Sequence, residues 1–335
     1  MERTLKNISD FLLQHSNIVS NPGLLHGKMG LAVFFFNYAR CTGNIFYEEQ
    51  AITLIYQIQE LILQQQNINY ADGLTGIGVG IEYLSQIGLL DIDTNEILED
   101  FDGRIRQEIM YGQKINNTLF NGFCGLGQYL LYRLNCPQKR TDEFRLLANQ
   151  ELMVFFVNIM ENGDFPQYSD LPDVLSFLCK LYLLDICNPK IDRYVDKILP
   201  KLSIDDFDHE MLPAFTLPLL RISSIRPKIS YFTYDLIHRV LQTVEQNNIH
   251  LENRTMDVTN RLLWLLHCKR LIAQTGVCMD SVDRFDVLIR KLLEQTNQIM
   301  QFEKENLSLK GYAGVGLVMM TITGQCDDAW LDLLG

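Results

Sequence analysis

The sequence lacks the features that mark several common classes of protein. It has no cluster of lysines and arginines, and its formal charge is −12, which argues against a partner bound mainly through phosphates, such as a nucleic acid. It also has no Pro-, Ser- or Gln-rich tract long enough to act as a disordered linker. We therefore expect one globular domain over residues 1–335 that does not bind nucleic acid.

Neither a signal peptide nor a membrane-spanning segment is apparent. Residues 1–17 carry Glu2, Lys6 and Asp10 between their apolar residues, so they offer no uninterrupted hydrophobic region. The uncharged stretch 311–326 is Gly-rich and shorter than a membrane span requires. The sequence thus predicts a cytoplasmic protein without a membrane partner.

The cysteines never occur in CxxC spacing, and most fall inside apolar stretches where a free thiol behaves as a small hydrophobic group. This distribution favours a reducing compartment over a disulfide framework. The eight are Cys41, Cys124, Cys136, Cys179, Cys187, Cys268, Cys278 and Cys326.

A short glycine motif recurs along the chain and gives the strongest signal in the sequence. Each copy runs into an apolar stretch that is too rich in buried-type residues to face water, which predicts an inner helix. Between the copies lie segments with a helical period and one charged face, such as 46–66, which predict outer helices. The four copies are HGKMGLA (26–32), DGLTGIG (72–78), NGFCGLG (121–127) and KGYAGVG (310–316).

The spacing of the motif sets the number of repeats. The first two intervals are 46 and 49 residues, and the third is 189 residues, so three further units fit inside it. These units occur in altered form, without their glycines, at 168–173, 209–213 and 254–258. With no alternating β-branched runs in between, the sequence predicts an all-α fold of seven outer and seven inner helices.

The turn glycines are interpreted as structural. The first glycine of each pair is expected to permit positive φ, and the second is expected to let the inner helix approach its neighbour closely. A phosphate-binding role would need a preceding strand, which the sequence does not offer. The eight positions are Gly27, Gly30, Gly73, Gly76, Gly122, Gly125, Gly311 and Gly314.

Seven repeats of this kind resemble the lanthionine synthetase C (LanC-like) family over nearly the whole chain. The resemblance is clearest in LLHGKMGLAVFFF, DGLTGIGVGIEYL, NGFCGLGQYLLYRL and LKGYAGVGLVMM, and in the closing DAWLDLL. It implies an α/α toroid and a peptide or another protein of peptide modification as partner. It also implies a zinc ion held by a Cys of the fifth repeat and a Cys-His-Gly of the sixth, which activates a peptide thiol for thioether formation.

The zinc ligands that the resemblance implies are missing. The chain has no Cys-His-Gly, its fifth turn reads HEMLP and its sixth reads TMDVT. The adjacent pair His267 and Cys268 has the reverse order and is interpreted as core packing. We therefore predict no zinc cofactor, with a substitute set of His26, Asp72 and Cys124 as the alternative.

Polar residues at the turns are the candidate binding site, because the turns converge on one rim. Their structural alternative is that they are helix caps and solvated loop residues. Four aromatic residues near the turns, Tyr168, Tyr312, Phe123 and Phe215, either line the mouth or belong to the core. The candidates are His26, Asp72, Asn121, Cys124, His209, Glu210, Asp257 and Lys310.

Three functions stay open at this stage. The leading hypothesis is a LanC-like protein that binds a peptide or protein without zinc catalysis, at the part of the rim that keeps its glycines. The rival is an enzyme, either a cyclase with substituted ligands or an α/α-barrel carbohydrate enzyme with paired carboxylates. The third is an inert scaffold. The carboxylates available to a carbohydrate enzyme are Asp72, Asp170, Asp173, Glu210 and Asp257.

Overall fold

The computed structural model describes residues 2–63, 66–112, 116–135, 143–162, 166–202, 211–247, 255–299 and 307–335. Within these ranges the chain is helical and has no β-strand. Seven inner helices are α2 (Lys28–Thr42), α4 (Leu74–Gln86), α7 (Phe123–Leu134), α9 (Leu171–Tyr182), α11 (Met211–Ile225), α13 (Thr255–Thr275) and α15 (Tyr312–Ile322). Seven outer helices are α1 (Glu2–His15), α3 (Ile45–Ile62), α6 (Glu99–Tyr111), α8 (Glu143–Asn162), α10 (Asn188–Ile198), α12 (Ser230–Asn247) and α14 (Val282–Ile299), with the single turn α5 (Thr94–Ile97) before α6.

Burial separates the two sets of helices as the sequence pattern predicts. In α4 every residue from Leu74 to Leu84 is buried, because this helix has neighbours on all sides. In the outer helix α3 the buried residues are Ala51, Leu54 and Ile58, which is the stripe of a helix packed on one side. The seven inner and seven outer helices predicted from the repeat are confirmed.

The inner helices form a closed ring. Each inner helix contacts the next one along the chain, and α15 contacts both α13 and α2. Each outer helix packs on the inner helix that precedes it, as in α2 with α3, α11 with α12 and α13 with α14. The first outer helix, α1, packs against α15. The first and last repeats therefore complete each other, which closes the toroid.

The first glycine of each turn has a negative φ, so the expectation of positive φ is wrong. Gly73 and Gly122 have φ of −111° and −129° at the N-cap positions of their helices. Space requires glycine there, since a Cβ on Gly73 would lie 2.5 Å from the carbonyl oxygen of Asn67. A Cβ on Gly125 would lie 2.8 Å from the Cβ of Tyr70 in the neighbouring repeat. The predicted close approach between repeats is confirmed.

The turns are joined around the mouth of the ring by backbone hydrogen bonds. Lys310 N donates to Leu25 O (3.1 Å), and Leu25 N donates to Ala71 O (2.9 Å). Ala71 N in turn donates to Phe120 O (3.1 Å). The four turns that keep their glycines thus form one continuous belt.

At the fourth turn two carboxylates continue this belt. Asp170 Oδ2 accepts a hydrogen bond from Asn117 N (3.0 Å), and Asp173 Oδ2 accepts one from Leu119 N (2.7 Å). Asp170 and Asp173 occupy the positions of the two glycines in the other repeats. The fourth turn is therefore a different solution to the same contact, in which side chains replace a close backbone approach.

Two further properties concern the whole of the described chain. None of its helices is both long enough and apolar enough to cross a bilayer. The seven cysteines in the described ranges all have free thiols, while Cys136 lies outside those ranges.

Candidate functional site

The lumen of the toroid is crossed by a central segment, defined as the 3-10 helix Ala329–Leu334 together with Gly335. Its Trp330, Leu331 and Leu333 are buried. Hydrogen bonds reach it from well-separated parts of the ring, so it lies near the axis. They join Tyr70 Oη to Leu333 O (2.9 Å), Gln128 Nε2 to Asp332 O (3.3 Å), Arg270 Nη2 to Asp332 Oδ2 (2.8 Å) and Arg221 Nη2 to Gly335 O (3.3 Å).

The central segment separates two cavities. The first, here called the mouth cavity, has a volume of about 530 Å³ and lies toward the glycine turns, between α7, α9, α11 and α13. The second has a volume of about 650 Å³ and lies toward the opposite ends of the same helices. Gln128 and Lys180 line both cavities. The mouth cavity is within the size range of small-molecule and peptide side-chain pockets.

Apolar side chains form the walls of the mouth cavity. Phe177 of α9, Leu217 of α11 and Trp264 of α13 all line it. Trp264 Nε1 donates to Pro213 O (2.9 Å), which satisfies the one polar atom of the indole and fixes the ring on the wall. The cavity therefore presents a fixed apolar surface to whatever enters it.

Lys180, near the end of α9, is one of the charged residues that line the mouth cavity. Its Nζ donates to Gln128 Oε1 (3.0 Å). Burial lowers its pKa to about 7, and Arg221 acts in the same direction, whereas Asp332 and Asp173 oppose the shift. Near neutral pH the amine is therefore poised between its charged and neutral forms, and a bound anion would favour the charged form.

Two further cations and one carboxylate share this cavity. Lys310 Nζ lies over the Phe120 ring, 4.9 Å from its centroid, and burial lowers its pKa while Asp173 opposes that effect. Arg261 Nη1 is buried and has no hydrogen-bond partner in the described chain. Burial raises the pKa of Asp173, against the hydrogen bond from Leu119 N.

Behind the central segment, His267 is held neutral. Arg221 Nη2 lies 3.1 Å from His267 Nε2, and because a guanidinium can only donate, Nε2 is the acceptor and the ring proton is on Nδ1. Burial lowers the pKa of His267 well below its usual value, with Arg221 and Lys180 adding to the effect. Cys268 is fully buried, and burial raises its thiol pKa. The interpretation of this pair as core packing is confirmed.

Of the five turn candidates whose side chains the structure describes, four lie outside the lining of the mouth cavity. His26 Nδ1 is 3.1 Å from Asp72 Oδ1 on the exposed rim, and Asn121 Oδ1 accepts from Asn69 Nδ2 (2.9 Å). Cys124 is fully buried, because it points into the wall between helices. Of the candidates, Lys310 lines the cavity, while His209, Glu210 and the side chain of Asp257 lie outside the described residues.

The four aromatic residues near the turns belong to the core. Tyr312 and Phe215 are 1% and 0% exposed, Phe123 stacks on Phe156 at 3.8 Å, and Tyr168 packs on Phe215. Sequence reasoning named Asp173 among the carboxylates but missed Phe177 and Lys180 on α9 and Arg261 and Trp264 on α13. A signal for them exists, since Lys180 in the last turn of α9 and Arg261 within α13 are charged residues of mainly apolar inner helices. The lumen is where such a helix can expose a charge to water.

The described residues do not fit a zinc ion. His26 and Asp72 share the rim, but Cys124 is buried elsewhere as a neutral thiol whose pKa is raised by burial. In the part of the chain that the structure describes, no three His, Cys, Asp or Glu side chains are grouped so that they could hold a metal. His267 faces a guanidinium instead of a metal. We therefore assign no step to zinc.

Fold and cavity together define the class: an α/α toroid of seven inner and seven outer helices with a cavity toward its glycine turns. Among solved structures, nisin cyclase matches with a TM-score of 0.74 over 100% of this chain and 98% of that chain, at 13% sequence identity. The chain thus has the fold of the lanthionine synthetase C proteins, and at this identity the likeness concerns the fold alone. No family model and no curated protein matches the sequence.

Proposed function

We propose that this chain is a LanC-like protein that binds a peptide segment in the mouth cavity and does not use zinc to do so. The observation that carries the proposal is the mouth cavity itself, an apolar chamber of about 530 Å³ with several polar groups in its lining. It lies inside a toroid that matches nisin cyclase over its whole length. A peptide, or a protein of peptide modification that presents one, is the partner this suggests.

The shape of the cavity supports a peptide better than a whole protein domain. A chamber of this volume takes a few side chains, and its fixed apolar wall suits aliphatic or aromatic groups. Phe177, Leu217 and Trp264 supply that wall, and Lys180 and Lys310 add polar groups to the lining. The ligand is therefore a short segment that inserts side chains between the inner helices.

The observations favour binding over a carbohydrate-cleaving activity. Such an activity needs two carboxyl groups that flank the scissile bond. Asp173 is the one carboxylate among the described residues of the cavity lining, and one of its oxygens already bonds to Leu119 N. Asp170 is likewise bonded to the backbone of the third turn. Both carboxylates therefore accept backbone hydrogen bonds that join the third and fourth turns.

The test uses a pool of random synthetic heptapeptides and the immobilised full-length chain. Ala214 is exposed and lines the mouth cavity, so Ala214→Trp fills the cavity without disturbing the buried core. Ala273 is also exposed on an inner helix but lines neither cavity, which makes Ala273→Trp the matched control.

We expect the wild type and Ala273→Trp to retain a subset of peptides, and Ala214→Trp to lose that subset. Retention should be unchanged when a zinc chelator is present. Equal retention by both tryptophan variants would place binding outside the cavity and refute the proposal. Loss of retention in the chelator would refute its zinc-independent part.

A further inference from the structure

The lumen is positively charged in a protein of the opposite overall sign. The chain carries a formal charge of −12, yet the described side chains that line its mouth cavity include three cationic ones and one acidic one. In the second cavity Arg221 adds a further cation, while Arg270 is paired with Asp332 (2.8 Å). Low-dielectric walls strengthen the field of such groups, so the lumen attracts anions although the surface as a whole repels them.

Among the described residues, no carboxylate forms an ion pair with any of the three cations of the mouth cavity. Lys180 Nζ bonds to an amide oxygen, Lys310 Nζ lies over an aromatic ring, and Arg261 Nη1 is buried without a partner in the described chain. Arg133 is the contrasting case of a buried cation that is paired with a carboxylate, that of Glu82 (3.0 Å). A charge that is removed from water without a counterion is unfavourable in the free protein. Binding of an anion would relieve this cost for the three cations, so their presence together points to an anionic ligand.

We propose that the mouth cavity selects peptide segments that carry an anionic side chain, with the anionic group held among Lys180, Lys310 and Arg261 and the neighbouring residues packed on Phe177 and Trp264. This inference rests on the proposed peptide-binding function and adds the chemical class of the ligand. The shared chemistry is that of a carboxylate or a phosphoryl group, since both accept charge-assisted hydrogen bonds from lysine and arginine.

The geometry also explains why Asp173 does not satisfy the cations itself. Its Oδ2 is bonded to Leu119 N (2.7 Å), which holds the carboxylate at the wall where the third and fourth turns meet. Asp173 interacts electrostatically with both Lys180 and Lys310. Its single negative charge can offset at most one of the positive charges of the cavity. The cavity therefore keeps a net positive charge that a ligand can neutralise.

The experiment compares four heptapeptide pools that differ only in a fixed central residue, which is Glu, phosphoserine, Gln or Lys. Each pool is applied to the immobilised full-length chain at low salt, and the retained peptides are quantified by mass spectrometry. The same measurement is made with Lys180→Gln, Lys310→Gln and Arg261→Gln. Lys291→Gln on the exposed face of α14 removes the same charge far from the cavity lining and serves as control.

We expect the wild type and Lys291→Gln to retain the Glu or the phosphoserine pool on the order of tenfold better than the Gln pool, as for a charge-assisted hydrogen bond. The three cavity variants should lose most of that ratio while still retaining the Gln pool. The stronger of the two anionic pools identifies the source of the anion.

Two results would overturn the inference while leaving the proposed function intact. One is equal retention of the anionic and Gln pools by the wild type, with retention still abolished by Ala214→Trp. The other is an anionic preference that survives in all three cavity variants. Failure of every pool to bind would instead refute the proposed function, and this inference with it.

Discussion

Replacing Gly125 by alanine tests whether the turn glycines exist for close packing between repeats. Gly125 lies in the first turn of α7, where an added Cβ would meet the carbonyl oxygen of Leu119 and approach the Cβ of Tyr70 to 2.8 Å. One of these neighbours is a main-chain atom and the other is a Cβ, so neither can move away by a side-chain rotation. The methyl group therefore forces α7 and the preceding turn apart.

The size of the effect follows from overpacking, which costs about 1–3 kcal/mol at a well-packed site. For 335 residues, an unfolding entropy of roughly 2.1 cal/mol/K per residue corresponds to about 0.7 kcal/mol per degree. Gly125→Ala should therefore lower Tm by about 1–4 °C, as measured by calorimetry at a fixed scan rate. A β-branched residue would lower it further.

Gly103 provides a control with the opposite expected sign. It is exposed in the middle of α6, and a Cβ there would meet nothing within 4 Å. Alanine has a higher helix propensity than glycine by about 0.5–1 kcal/mol, so Gly103→Ala should raise Tm by about 1 °C. If both substitutions moved Tm in the same direction, the packing explanation of the turn glycines would be untenable.

Three other predictions concern stability. Gly73→Val places a branched side chain against the Asn67 carbonyl and should cost on the order of 1–3 kcal/mol, so an unchanged Tm would contradict the packing argument at that turn. Arg133→Met leaves the fully buried Glu82 without its partner at 3.0 Å and should lower the free energy of unfolding by about 3–5 kcal/mol, so an unshifted urea midpoint would count against this ion pair. Burial lowers the pKa of Lys180 from 10.5 to about 7, so between these values the unfolded chain binds the extra proton and stability rises with pH. The wild type should therefore gain stability relative to Lys180→Met from pH 7 to pH 9, and a constant difference would show that the pKa is not lowered.

The ring of helices was predictable because its signal is repeated. A period of 46 to 49 residues between glycine motifs, with an apolar stretch after each, places seven inner helices even where the glycines are replaced. The altered turns at 168–173, 209–213 and 254–258 include the first residues of α9, α11 and α13, which are Leu171, Met211 and Thr255. The repeat period does not predict the backbone dihedral angles at the turns. The expected positive φ at Gly73 and Gly122 was therefore wrong.

The site was predicted less well, because it depends on which side of a helix faces the lumen. Cys124 and Lys310 both flank a turn glycine, yet Cys124 is buried in the wall and Lys310 lines the mouth cavity. The position of a residue near a turn does not decide between these outcomes. A binding role for His26, Asp72 and Asn121 on the rim stays a prediction.

The most direct test of the central claim is to locate a bound peptide in the toroid. A heptapeptide pool that carries one benzoylphenylalanine is irradiated on the full-length chain, and the cross-linked residues are identified by mass spectrometry. We expect cross-links to Phe177, Leu217 and Trp264 in the mouth cavity, and their loss in Ala214→Trp. Cross-links confined to exposed side chains of the outer helices, such as Tyr111 and Phe144, would contradict the account.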